Sequence, residues 1–141
     1  MSQENVDVVR AVFEVMAQEH SESFRRGIEA RLRFFAPSIQ WTVRSDLPDA
    51  AVYRGHDGLR QLVGRFGEVL ADQWIEPQEF IDAGRDVVVP LHWGGRGKLS
   101  RVEVAERQGE TWVFTVENEK ITRVREYRHK AAALEAAGLR E

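Results

Sequence analysis

This chain contains no cysteine, an absence that removes disulfide frameworks, thiol nucleophiles, iron–sulfur clusters and cysteine-bound zinc at once. It also lacks any apolar run of roughly 18 residues, so no segment is expected to cross a membrane as a helix. The opening stretch MSQENVDVVR has neither the basic start nor the apolar core of a secretory signal, which makes a cytoplasmic protein the expectation. Charge of one sign is scarce as well. Twenty Lys and Arg stand against 23 Asp and Glu, a formal net charge of −3, with a pI near 5.9, whereas a phosphate backbone calls for a concentrated positive surface. The densest basic stretch (Arg123, Arg125, Arg128, His129, Lys130) is interleaved with Glu117, Glu119 and Glu126 and reads as a solvated strand face. Neither a nucleic-acid nor a membrane partner is expected.

Several motifs are missing too. The four histidines lack ligand spacing, so no metal site is expected. The segment Gly94-Gly95-Arg96-Gly97-Lys98-Leu99 imitates a phosphate loop. It has His92 where the first glycine belongs and Leu99 in place of the magnesium-binding Ser or Thr, so it reads as a flexible hairpin tip. There is no G-x-S-x-G elbow. No cofactor is implied by any of these tests.

What is present is an ordinary globular composition: 141 residues, 43% hydrophobic and 30% charged. That suits a single domain over residues 1–141 with a substantial core. Val6, Val9, Phe13 and Met16 recur at helical spacing behind Ser2, a candidate N-cap. A second helix carries Phe24, Ile28, Leu32 and Phe35 and is expected to end at Pro37. Ile39, Trp41 and Val43 alternate as in a strand, and a loop is expected from Ser45 to Gly55. Leu59, Leu62, Val63, Phe66, Val69 and Leu70 form the clearest helical stripe, with Asp57 placed to cap it. Strands are expected at 74–82, 86–93, 101–107, 111–117 and 120–128, joined as antiparallel hairpins. A last helix from Ala131 to Ala137 stops at Gly138. Helices first and strands afterwards imply an α+β fold with helices packed on one face of a curved sheet.

That element order, with SQENVDVVRAVFE at the start, DLPDAAVYRGHDGLRQLV at 46–63, EFIDAGRDVVV at 79–89 and KITRVREYRHKAAALEAAGL at 120–139, resembles the SnoaL-like branch of the nuclear transport factor 2-like superfamily. The resemblance covers nearly the whole chain. It implies an NTF2-like cone, a curved antiparallel sheet with N-terminal helices on its concave face, a hydrophobic pocket for a small apolar molecule, and a homodimer through the sheet's outer face. The superfamily hosts isomerases, cyclases, dehydratases, epoxide hydrolases and non-catalytic modules, so fold alone does not choose among them. Two familiar catalytic sets are absent. Where ketosteroid isomerase relatives place a general base, this chain has Trp41 and Thr42, and their oxyanion donor falls at Thr111. Where limonene epoxide hydrolase relatives place their Arg–Asp pair and second Asp, this chain has His92, Gly94 and Glu126.

His92 and Glu126 are the candidate acid–base constellation. His92 lies in VVVPLHW, Glu126 shares strand parity with Val124, and the resemblance turns that face into the cone. A carboxylate beside an imidazole would fix its tautomer and raise its pKa, with a structural hydrogen bond as the plainer alternative. Trp41, Tyr53, Trp93, Trp112 and Phe114 supply flat apolar surface for a ring-shaped ligand or, equally, for core or subunit contact. Tyr53 adds a hydroxyl donor. The expected pocket comprises Trp41, Trp93, Thr111, Val113, Val124 and Phe66. With Thr111 and Val113 facing the cone, Trp112 and Phe114 would pack between sheets of a dimer. A one-residue change of register would exchange the two sets. Function then divides between a cofactor-independent isomerase, cyclase or hydrolase, with His92, Glu126 and Tyr53 catalytic, and a non-catalytic ligand-binding or assembly module.

Overall fold

A computed structural model describes residues 2–17, 28–44 and 51–139. Helix α1 runs from Ser2 to Ala17, and its stripe Val6, Val9, Val12, Phe13 and Met16 is buried. Phe13 meets the rings of Phe80, Phe114 and Trp112 with centroids 5.8, 5.7 and 6.4 Å away. The helix is thereby pinned across the sheet, edge to face with Phe80 and Phe114 and tilted against Trp112, such ring pairs being worth about 0.5–1.5 kcal/mol each beyond burial. Helix α2 spans Ile28–Arg31 and tightens into a 3-10 turn at Leu32–Phe34. The expected Phe24 contribution lies outside the described residues, as does the side chain of Ser2.

Strand β1, Phe35–Thr42, begins earlier than the sequence pattern suggests. Phe35 is already extended at φ −110° and ψ 136°, and Pro37 sits inside the strand rather than ending a helix. A proline disfavours helical geometry in the residue before it. Its missing N–H is tolerated because the pairing register slips between Phe35 and Gln40. The expected loop also hides a short strand, β2 (Val52–Arg54), antiparallel to β1; residues 45–50 lie outside the description. Helix α3 covers Gly55–Val69. Its entry turn uses Gly55 at φ +71°, and the residue before it, Arg54, makes no side-chain cap. Asp57 therefore does not cap the helix; it sits in the first turn, 2.6 Å from Arg60, where a negative charge complements the helix dipole.

The rest of the chain is sheet: β3 (Leu70–Pro77), β4 (Ile81–Ala83), β5 (Asp86–Gly97), β6 (Glu103–Glu106), β7 (Thr111–Glu117) and β8 (Lys120–Tyr127). Leu70 thus opens a strand instead of closing the preceding helical stripe, and the expected strand 74–82 is two strands. The largest departure is β5. The glycine run expected at a hairpin tip is strand, because Gly94 lies where a ring and a backbone converge. A Cβ there would come within 2.5 Å of both the Trp74 ring and the Val104 carbonyl. The β7–β8 connection is a two-residue turn in which Asn118 and Glu119 both take positive φ, the geometry that matches sheet twist.

The strands are ordered β2-β1-β8-β7-β5-β3, with β4 and β6 also paired to β5. All pairs are antiparallel except β1 with β8, which is parallel. The sheet is therefore mixed, where an antiparallel one was expected. Its two faces have separate cores. Val87, Val89, Leu91, Trp112, Phe114 and Val124 join α1 and α3 on the concave side. Val88 and Val113 pack against Ala133 and Leu134 of helix α4, Lys130–Ala136, on the other. Helix α4 closes at Gly138, φ +82°, with the Leu139 N–H bonded to the Leu134 carbonyl and the Gly138 N–H to that of Glu135, a glycine-terminated stop. Helices on the concave face of a curved mixed sheet give an α+β cone.

Candidate ligand-binding site

The cone holds a small, partly open cavity of about 60 Å³. That is room for several waters or one small ring, at roughly 10–15 Å³ per water. Trp41, Trp112 and Phe114 form its floor on the sheet, Phe13 comes from α1, and Leu62 and Phe66 come from α3. Among the described residues lining it, Arg31 of α2 alone is charged. Trp41 and Trp112 meet edge to face, centroids 5.0 Å apart and planes at 80°.

Cross-strand register explains why these rings share one surface. Trp41 is opposite Tyr53 on β2 and Val124 on β8. Val124 is opposite Phe114 on β7, which is opposite Val87 on β5. The next row is Glu126, Trp112 and Val89, and directly paired residues point to the same side of a sheet.

Behind the tryptophan floor lies a buried polar network. Trp41 Nε1 donates to Glu126 Oε2 at 2.7 Å, and the Arg44 backbone N–H donates to Glu126 Oε1 at 3.3 Å. Glu110 accepts from Trp112 Nε1 at 2.7 Å and Trp93 Nε1 at 3.0 Å, and forms an ion pair with the Arg44 guanidinium. Three of the chain's four tryptophans thus commit their indole N–H to two carboxylates, which are 3% and 7% exposed at Glu110 and Glu126. Burial pushes the Glu126 carboxyl up from 4.5 to about 7; the Trp41 hydrogen bond opposes this and the nearby Glu110 charge adds to it.

The expected His92–Glu126 pair is not formed. Glu126 shares its face with Trp112 and Val89, and His92 is three residues along β5 from Val89, an odd step that puts its side chain on the opposite face. Thr111 and Val113 also lie on that opposite face, in register with Pro90 and Val88, and Val113 packs beneath α4. The pocket instead receives Trp112 and Phe114, so the aromatics expected between two subunits are interior. Trp41 and Phe66 line the cavity. Val124 is fully buried between Trp41 and Phe114, and Trp93 reaches Glu110; neither contributes lining. Tyr53 is buried and its hydroxyl has no hydrogen-bond partner.

Sequence reasoning missed Glu110, Arg44 and Arg31. A usable signal existed for Glu110: it stands two residues before Trp112 and so shares its strand face. Among the described residues, no three His, Asp or Glu side chains are grouped to hold a metal ion, and no helix is long and apolar enough to cross a membrane.

The model of the SnoaL-like domain matches residues 9–124, and the chain belongs to that family. An NTF2-like protein from Burkholderia xenovorans LB400 is 30% identical over 97% of each chain, with a TM-score of 0.65. An NTF2-like protein of unknown function from Burkholderia pseudomallei K96243 is 19% identical over 94% of this chain and 95% of that one, TM-score 0.74. TerC, co-crystallised with polyporic acid, is 22% identical over 96% and 98%, TM-score 0.70. No curated protein matches the sequence. The family places this chain on a fold suited to binding small molecules and assigns it no specific activity.

Proposed function

We propose that this chain is a small-molecule-binding SnoaL-like domain whose cone takes a compact, predominantly apolar, ring-containing ligand. One observation carries the reading. Trp41 and Trp112 line the cavity while their polar N–H edges are engaged by Glu126 and Glu110, so the floor offers π surface and no competing donor. Such a wall favours rings by area burial and edge-to-face contact. TerC, which shares the fold, was co-crystallised with polyporic acid. The loss of the His92 partnership favours binding over turnover.

The test is titration with p-cresol, followed through the indole N–H signals of a nitrogen-15-labelled sample. The signals of Trp41 and Trp112 should shift. That of Trp74, whose ring is stacked under Arg107 at 4.7 Å, should stay. Val63→Trp, which fills the cavity, should abolish the response. Shifts confined to Trp74, or a response that survives Val63→Trp, would overturn the reading.

A second reading rests on Glu126, whose raised pKa suits acid–base chemistry near neutrality: a cofactor-independent isomerase, cyclase or hydrolase. It requires Trp41 to swing aside and expose the carboxyl, which ligand-dependent loss of the Trp41–Glu126 hydrogen bond would reveal. Homodimerisation through the outer face is also carried as a proposal. It draws no support from Trp112 and Phe114, and light scattering at known concentration decides it.

A further inference from the structure

We propose that the chain associates with a second copy of itself along the free edge of β6, the two strands pairing antiparallel about Ala105. The proposal is independent of what the cone binds. Among the described residues, β6 pairs with β5 alone, and Glu103, Val104 and Ala105 are exposed. The hairpin that carries this edge also gathers most of the large apolar side chains that the described residues leave open to solvent: Leu99 is 99% exposed, Val102 61% and Val104 40%. An open strand edge beside exposed apolar side chains is a template for another strand.

The backbone of this edge is set for pairing. The Gly97 N–H donates to the Val102 carbonyl at 2.9 Å, so those two residues face each other across the hairpin. Facing alternates along an antiparallel pair. Glu103 and Ala105, opposite Arg96 and Gly94, therefore turn their N–H and C=O groups away from β5 and out to the edge. Charge then selects the register. Charged residues on an edge ordinarily discourage pairing, but in Arg101-Val102-Glu103-Val104-Ala105-Glu106-Arg107 they complement their own copy. With Ala105 opposite Ala105, Glu103 of each copy stands directly across from Arg107 of the other, twice by symmetry. Centring on Glu103 would oppose two carboxylates, and centring on Val104 would oppose Arg101 to Arg107. Within the chain Arg107 rests on the Trp74 ring, and among the described residues neither it nor Glu103 has an ion-pair partner. The same register sets Val104 diagonally across from its copy, about 7–8 Å away, which covers part of the exposed apolar surface.

The experiment is sedimentation equilibrium of the full chain from about 10 μM to 1 mM, the range in which a short edge contact acts. The average mass of the wild type should rise with concentration. Glu103→Arg sets Arg across from Arg and should weaken association at least about tenfold, as should Arg107→Glu. The double exchange, Glu103→Arg with Arg107→Glu, should restore it. Ala105→Pro removes the outward N–H at the centre of the contact, costs no ladder bond to β5, and should weaken association too. These positions are exposed, and circular dichroism checks that each variant is folded. A mass that stays constant over the range overturns the proposal. So does association that the single variants leave unchanged, which is the result expected of contact through the sheet's outer face. A double exchange no better than its parents also overturns it, because only direct pairing of the two positions predicts the rescue.

Discussion

The Glu126 carboxyl should reveal itself as a slope in stability against pH. Folding raises its pKa from 4.5 to about 7, chiefly through burial. Between those values the native protein holds a proton that the unfolded chain has released. The stabilisation is therefore complete below about pH 4.5 and is lost as pH rises through about 7. Linkage over that shift gives a change of roughly 2–3 kcal/mol between pH 5 and pH 8, at 1.36 kcal/mol per pKa unit. Glu126→Gln keeps an oxygen to accept the Trp41 N–H but cannot ionise. Titrating groups remote from position 126 are common to both proteins and cancel in the difference. Urea unfolding of the wild type and the variant at pH 5, 6, 7 and 8, with constant m-values as the check on two-state behaviour, should show the variant gaining on the wild type by that 2–3 kcal/mol towards pH 8. Parallel stability profiles across the four pH values would refute the assignment of a buried, proton-holding carboxyl at this position.

Glu110→Ala removes the shared acceptor of Trp93 and Trp112 together with an ion-pair partner of the buried Arg44 guanidinium; a loss of about 3–5 kcal/mol is expected in urea unfolding. Its effect should exceed that of Glu126→Ala, whose partners are one indole and one backbone N–H. His92→Ala, on the opposite face from the cavity, should change stability by less than about 1 kcal/mol and leave the p-cresol-induced shifts of Trp41 and Trp112 as they are in the wild type.

Much of the architecture was legible because local signals agreed with global packing. Val6, Val9, Phe13 and Met16 announce α1, residues 111–117 announce β7 to the residue, and Gly138 marks the end of α4. The facing of β7 was not legible: every residue from Thr111 to Val116 is buried, one side by the cone and the other by α4. Alternation, the signal that normally tells inside from outside, is therefore missing, and the sequence pattern points Thr111 and Val113 into the cone where the structure has Trp112 and Phe114. The extension of β5 through Gly94 and Gly95 was hidden for another reason. Glycine there serves close packing against Trp74 and the β3 backbone, which only the folded arrangement reveals. Glu110 follows Gln108-Gly109 and looked like turn material, since its burial depends on Arg44, 66 residues away.

The parallel pairing of β1 with β8 has a consequence for how the molecule comes into being. The final strand lies in the interior of the sheet, flanked by β1 and β7, and the partners Trp41 and Glu126 are 85 residues apart. During synthesis β1 and β2 emerge long before the strand that joins them to the remainder, and until it arrives the tryptophan floor has no Glu126 to bind its polar edge. Closing so long a loop is a late and slow event. A nascent or C-terminally clipped chain would consequently present two separate apolar fragments instead of a slightly shortened domain, and such fragments are what chaperones and aggregation compete for.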